Sequence, residues 1–132
     1  MNRKIFIIIL SAFSLLACSF IIIKSSDKNY TKTELYFGFS KTDGSSVTKE
    51  EWNAFADSVI SRVFSNGSTV IESHGQWREN ENLISEESRI VISINEMTPE
   101  LENKIDEIRE KYKNYFHQSS VLKVEQPVQA NF

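Results

Sequence analysis

The chain has 132 residues, with 15 Lys and Arg against 18 Asp and Glu, a formal net charge of −3 and one cysteine. That length holds one domain rather than two, and the acidic balance excludes a nucleic-acid binder, which needs clustered cations to displace counterions. A single cysteine excludes internal disulfides in any compartment, and a core of this size needs no metal staple, so no cofactor is expected.

The N-terminus reads as an export signal. Arg3 and Lys4 form a short basic head, an apolar run begins at Ile5, and Leu15-Leu16-Ala17-Cys18 closes it. A basic head, an apolar run and a small residue before the cut are the grammar of a signal peptide. The tetrad resembles the lipobox of bacterial lipoproteins, which implies cleavage before Cys18 and acylation of its thiol. Residues 1–17 are then the signal peptide and 18–32 the lipidated cysteine and its tether. An uncleaved anchor is the alternative, because residues 5–23 carry no charge and, as a helix, span about 28 Å, close to the thickness of a bilayer core. Both readings keep Arg3 and Lys4 in the cytoplasm and send the rest across. Ser19 stands where inner-membrane lipoproteins carry Asp, so the resemblance favours the periplasmic side of the outer membrane.

The remaining residues, 33–132, alternate between strand and helix signals. Glu34 to Phe39 has period two, with Leu35, Phe37 and Phe39 on one face and Tyr36 on the other. Lys41 to Ser46 is a turn around Asp43-Gly44. Thr48 to Glu51 is a capping box that opens a helix whose apolar stripe is Trp52, Phe55, Ala56, Val59 and Val63, stopped at Asn66-Gly67. Thr69 to Arg78 is a second strand; Ile71 and Trp77 point its odd residues inward, and Gly75 is placed for a bulge. Glu79 to Ser88 is a polar connection, followed by a third strand, Arg89 to Asn95, with Ile90, Ile92 and Ile94 inward. Thr98-Pro99-Glu100 starts a second helix with the seam Leu101, Ile105, Ile108, Tyr112 and Tyr115. Val121 to Gln126 is the last strand, Leu122 and Val124 inward, with Pro127 suiting an edge.

The order β-α-β-β-α-β is the split pattern of the α+β ferredoxin-like sandwich, a four-stranded antiparallel sheet with both helices on one face. Its other face is then left to solvent, to a second copy of the chain in a homodimer, or to a ligand. On this reading that face carries Tyr36, Glu72, His74, Gln76, Ser93 and Lys123, with Arg78 beside them. Gly75-Gln76-Trp77-Arg78 is the leading binding candidate: Arg78 offers a planar donor fork for a small acid, Gln76 a donor and acceptor, Trp77 an apolar wall. The plainer reading has Trp77 in the core and Arg78 paired with a neighbouring Glu.

Catalysis finds little support. His74 and His117 are the only histidines and lack metal-ligand spacing, so no metal is expected. No phosphate loop or nucleophile motif is present. His74 as a base with Ser93 or Ser73, or a pocket between two sheets holding Tyr36, His74 and Arg78, are the enzyme alternatives.

Glu34-Leu35-Tyr36-Phe37-Gly38, Gly75-Gln76-Trp77-Arg78, Glu87-Ser88-Arg89, Tyr112-Lys113, Phe116, Gln118 and Ser120-Val121-Leu122 resemble domain-of-unknown-function family 3574, whose members are small secreted or lipid-anchored bacterial proteins. The resemblance carries kinship and no assigned activity. It leaves three expectations: a membrane-tethered binding or interaction module for a small acid or a protein, a small enzyme, or a structural lipoprotein of the envelope.

Overall fold

The computed structural model describes residues 30–132; the leader, Cys18 and most of the tether lie outside the described residues. Six elements follow in order: β1 (Tyr30–Gly38), helix α1, β2 (Thr69–Glu79), β3 (Asn82–Glu96), α2 (Pro99–Phe116) and β4 (Leu122–Val128). Helix α1 runs through Lys49–Phe55, a π-helical turn at Ala56–Ile60 and Ser61–Val63. The sheet order is β2-β3-β1-β4, every neighbouring pair antiparallel. This is the ferredoxin-like α+β sandwich that the element order predicts.

Local chemistry explains the boundaries. The Thr48 hydroxyl accepts from the Glu51 amide at 3.1 Å while the Glu51 carboxylate accepts from the Thr48 amide at 2.8 Å, closing the capping box at the start of α1. Lys41 holds the same carboxylate at 3.0 Å. These two donors, the Thr48 amide first, hold the Glu51 carboxyl below its ordinary value. The π-helical turn, with the Ser61 amide bonded back to the Ala56 carbonyl, adds one residue to the helix. The buried stripe consequently moves on by one, to Trp52, Phe55, Ile60 and Phe64, instead of ending on Val59 and Val63. In α2, Thr98 caps Leu101 and His117 ends the helix in the left-handed region at φ 52°. Its seam closes on Phe116, one helical repeat after Tyr112, and Tyr115 is largely exposed, touching the cluster edge-on at Phe55, 6.2 Å between ring centres.

The core lies between the helices and one face of the sheet. Phe37 and Tyr112, both fully buried, meet at 4.7 Å between ring centres; Trp52, Phe55 and Phe116 complete the cluster. The Tyr112 hydroxyl donates to the Gly38 carbonyl at 2.9 Å. Burial, reinforced by the charges of Glu86 and Glu51, raises the Tyr112 pKa well above the tyrosine range.

Strand lengths and facings differ from the sequence reading. β1 begins at Tyr30, so the last residues assigned to the tether are already sheet. β3 begins at Asn82, so the segment expected to be a polar loop is mostly strand, and the connection is only Asn80-Glu81. Asn80 takes φ 55°, which a short polar side chain tolerates. Gly75 makes no bulge: the pairing from Thr69↔Ile92 to Glu79↔Asn82 is unbroken. The larger correction concerns the faces. Leu35 lies opposite Val91 and Lys123, whereas Tyr36 lies opposite Ile90 and Leu122. Directly opposed residues share a face. Since Leu35 and Val91 are buried under the helices, Ile90, Ile92, Leu122 and Val124 point away from them, as do Ile71 and Trp77.

Candidate functional site

The sheet face turned away from the helices is apolar. Ile90, Ile92 and Ile94 run down its middle, Tyr36 beside them, with Leu122 and Val124 on one flank and Ile71 on the other. Leu122 is 57% exposed, Trp77 44% and Ile71 42%, and among the described residues no helix covers this face. β2 and β3 also outrun the sheet. β1 stops pairing at Gly38↔Ser88, while β2 and β3 continue from His74↔Glu87 to Glu79↔Asn82 as a two-stranded arm. Trp77 and Ile84 are cross-strand partners on the arm's continuation of the apolar face. Such a ribbon is marginal in water without something packed on it.

Several polar groups on this face are paired locally. The Tyr36 hydroxyl donates to Glu34 at 2.7 Å and Lys32 approaches the same carboxylate at 2.9 Å. Tyr36 first, then Lys32, holds the Glu34 carboxyl below its ordinary value, and the same bond raises the Tyr36 phenol. Ser73 and Ser88, opposite each other across β2 and β3, share a 2.8 Å hydrogen bond. The Glu86 carboxylate accepts from the Ser40 amide at 3.1 Å. The Lys32–Glu34 pair and the Ser73–Ser88 bond can therefore stay intact when water leaves, a condition for dry burial.

The sequence-predicted candidates divide between the two sides of the sheet. Tyr36 and Trp77 lie on the open face. Glu72, His74, Gln76 and Arg78 lie on the helix side, the last three on the exposed arm. Arg78 donates to the Glu81 carbonyl at 3.4 Å. Ser93 is buried under the helices, 3% exposed, and Lys123 lies on the helix side against Asp106 at 3.3 Å. Tyr36, His74 and Arg78 thus do not converge. Nor does His74 meet a serine: Ser73 faces the other way, and Ser93 sits about 20 Å along the strands. Among the described residues no group of three His, Cys, Asp or Glu side chains is disposed to hold a metal, and no helix is long and apolar enough to cross a membrane.

Several residues that carried the family resemblance gather at the end of β1, where their work is structural. Tyr112 bonds the Gly38 carbonyl, Gln118 the Ser40 carbonyl at 2.7 Å, and the Phe39 amide the Glu87 carbonyl at 3.0 Å. Arg89 lies over the Phe39 ring at 4.8 Å and pairs with Glu72 at 3.2 Å. Gly38 has a steric reason: a Cβ there would stand 2.6 Å from a Glu86 carboxylate oxygen. Gln76, Trp77 and Arg78 take no part in this latch and stand out on the arm.

The sequence profile described as Protein of unknown function (DUF3574) matches residues 32–132. The chain belongs to the DUF3574 family. No curated protein matches it. Among solved structures, this DUF3574 chain is similar to a phage SAM lyase in complex with S-methyl-5′-thioadenosine, with a TM-score of 0.56 and 16% identity over 83% of this chain and 96% of that one. It is also similar to CutA1 from Oryza sativa, with a TM-score of 0.51 and 12% identity over 80% and 86% of the two chains. The periplasmic divalent cation tolerance protein CutA from Archaeoglobus fulgidus gives a TM-score of 0.50 and 9% identity over 78% and 87%. At these identities the likeness is one of fold.

Proposed function

We propose that this DUF3574 protein is a membrane-tethered interaction module of the bacterial cell envelope, whose working surface is the open sheet face with the arm that extends it. The single observation that carries the docking surface is a large apolar face that no helix covers among the described residues. Contiguous apolar patches of this kind mark interaction sites on soluble domains. The tether rests on the Leu15-to-Cys18 tetrad and its apolar run; in this reading Cys18 is cut, acylated and held at the periplasmic side, with the outer membrane favoured. The dozen or so residues between Cys18 and Tyr30 reach at most about 40 Å, so the domain works close to the bilayer. β1 runs from the tethered end toward the arm, and the 15 residues of β3 span about 50 Å from that end to the arm's tip. The tether and the arm therefore lie at opposite ends of the sheet.

Two measurements test this. Intact-mass analysis of the membrane-extracted protein should find a chain beginning at an acylated Cys18; an intact Met1 would replace the lipoprotein by an uncleaved anchor. Thermal unfolding against a panel of small carboxylic and phosphoric acids should show no shift. A ligand at one hundred times its Kd adds about 2.7 kcal/mol, and for a domain of this size that is roughly 10 °C or more. A shift of that kind, lost in Arg78→Ala, would move the working site to the Gln76 and Arg78 side of the arm.

A further inference from the structure

We infer that the occupant of the open sheet face is a second copy of this chain, packed face to face as an isologous dimer. This rests on the docking reading above and names its partner. Three features favour a copy over a different protein. Most of the face is aliphatic or aromatic, Ile71, Ile90, Ile92, Ile94, Leu122 and Val124 with Tyr36, and permanent homo-oligomer interfaces are more apolar than transient ones. Its charges are few: Glu34, between Ile92 and Val124, is paired with Lys32 at 2.9 Å, and Glu86 lies toward the arm.

Size is the second feature. Four strands about 4.8 Å apart, with the arm added, present a face of about 650 Å² in projection. Side-chain relief raises the accessible area above that figure, to the order of the 800 Å² per partner that a stable dimer of ordinary size buries.

Geometry is the third. Two sheets packed face to face keep their strands within about 30° of each other. A two-fold axis between them and parallel to the strands leaves both β1 strands running the same way. Both tethers then emerge at one end and both arms at the other, so two chains anchored in one membrane can form the dimer without strain. With that axis over the centre of the sheet, between β3 and β1, each β2 lies opposite the partner's β4, and Ile71 faces Leu122 of the second copy.

The test uses the full chain in its own membrane. A photo-reactive p-benzoylphenylalanine is placed at Leu122, at Ile71 and, as a control on the helix side, at Tyr115. Irradiation should give an adduct of twice the chain mass from Leu122 and Ile71 and none from Tyr115. The full chain in mild detergent should register two chains by native mass spectrometry, and Leu122→Lys should register one with an unchanged circular dichroism spectrum. An adduct to a different protein from the Leu122 and Ile71 sites would overturn the second copy while leaving the docking surface in place. No protein adduct from either site, with a single chain in detergent, would overturn both.

Discussion

Replacing Tyr112 by Phe separates two roles of one buried side chain. The ring stays in the aromatic cluster, but the hydroxyl that donates to the Gly38 carbonyl is lost. A hydrogen bond of this kind contributes about 1 kcal/mol net, so at pH 8 the variant should be less stable by about that much. The alkaline limb carries the sharper expectation. Burial raises the Tyr112 pKa above its ordinary 10.0 in the folded state, while the unfolded chain titrates near that value. The folded protein then holds a proton that the unfolded chain releases. The stability linked to this group is complete below pH 10 and falls as pH rises beyond it, by about 1.4 kcal/mol per unit. At pH 11 the wild type should have lost about 1.4 kcal/mol through this group, a loss that Tyr112→Phe, with nothing to titrate there, does not suffer, closing or reversing the gap seen at pH 8. Urea unfolding of both proteins at the two pH values measures it, and shifts at other tyrosines and lysines cancel in the difference. An equal gap at pH 8 and pH 11 would refute the reasoning, because Tyr112 would then ionise as freely in the folded protein as in the unfolded one.

Three further outcomes follow from the same structure. Thr48→Ala should cost about 1 kcal/mol in urea unfolding by removing the side-chain half of the capping box; a cost near zero would mean that water replaces it. Because the Glu51 carboxyl is held below its ordinary 4.5, its stabilisation is present above that pH and lost as pH falls through the lowered value; acid unfolding of Glu51→Gln should accordingly begin from lower stability and fall less steeply below pH 4.5. Gly38→Ala should push the Glu86 carboxylate off the Ser40 amide, at about 1 kcal/mol, and the same change should be nearly neutral in a Glu86→Ala background; equal costs in both backgrounds would contradict the steric account.

Much of the fold was legible because local signals agree with it. Thr48 with Glu51, and Thr98 with Pro99, mark both helix starts, and the alternation of Leu35, Phe37 and Phe39 against Tyr36 places β1 on its correct face. The facing of the other strands was not legible. β3 reads Ile90-Val91-Ile92, apolar on both sides, so its inward residue is decided by register with β1 rather than by hydropathy, and register is a property of pairing at a distance. On β4 the signal was misleading: Lys123 takes the helix side because its stem can lie along apolar surface while its ammonium reaches Asp106. The β3 half of the arm reads as a loop because Asn82 to Ser88, exposed on both faces, has no hydrophobic period to display. Each error moved apolar residues into the core and polar ones onto the open face. The candidate surface was consequently drawn from Glu72, His74 and Gln76 instead of Ile90, Ile92 and Leu122. Only Tyr36 and Trp77 carry over.

Hydroxyl-radical footprinting of the full chain in isolated membranes, read by mass spectrometry, tests the covered face most directly. Oxidation rates at Leu122, Ile71 and Trp77, each scaled to the rate in the unfolded chain, are compared with Tyr115, which is 62% exposed on the helix side. If the open sheet face is a docking surface in use, the three sheet residues should be protected severalfold relative to Tyr115. Leu122 and Trp77 oxidising in proportion to the exposure of the single chain would show that the face stands bare in the membrane, and would contradict the account.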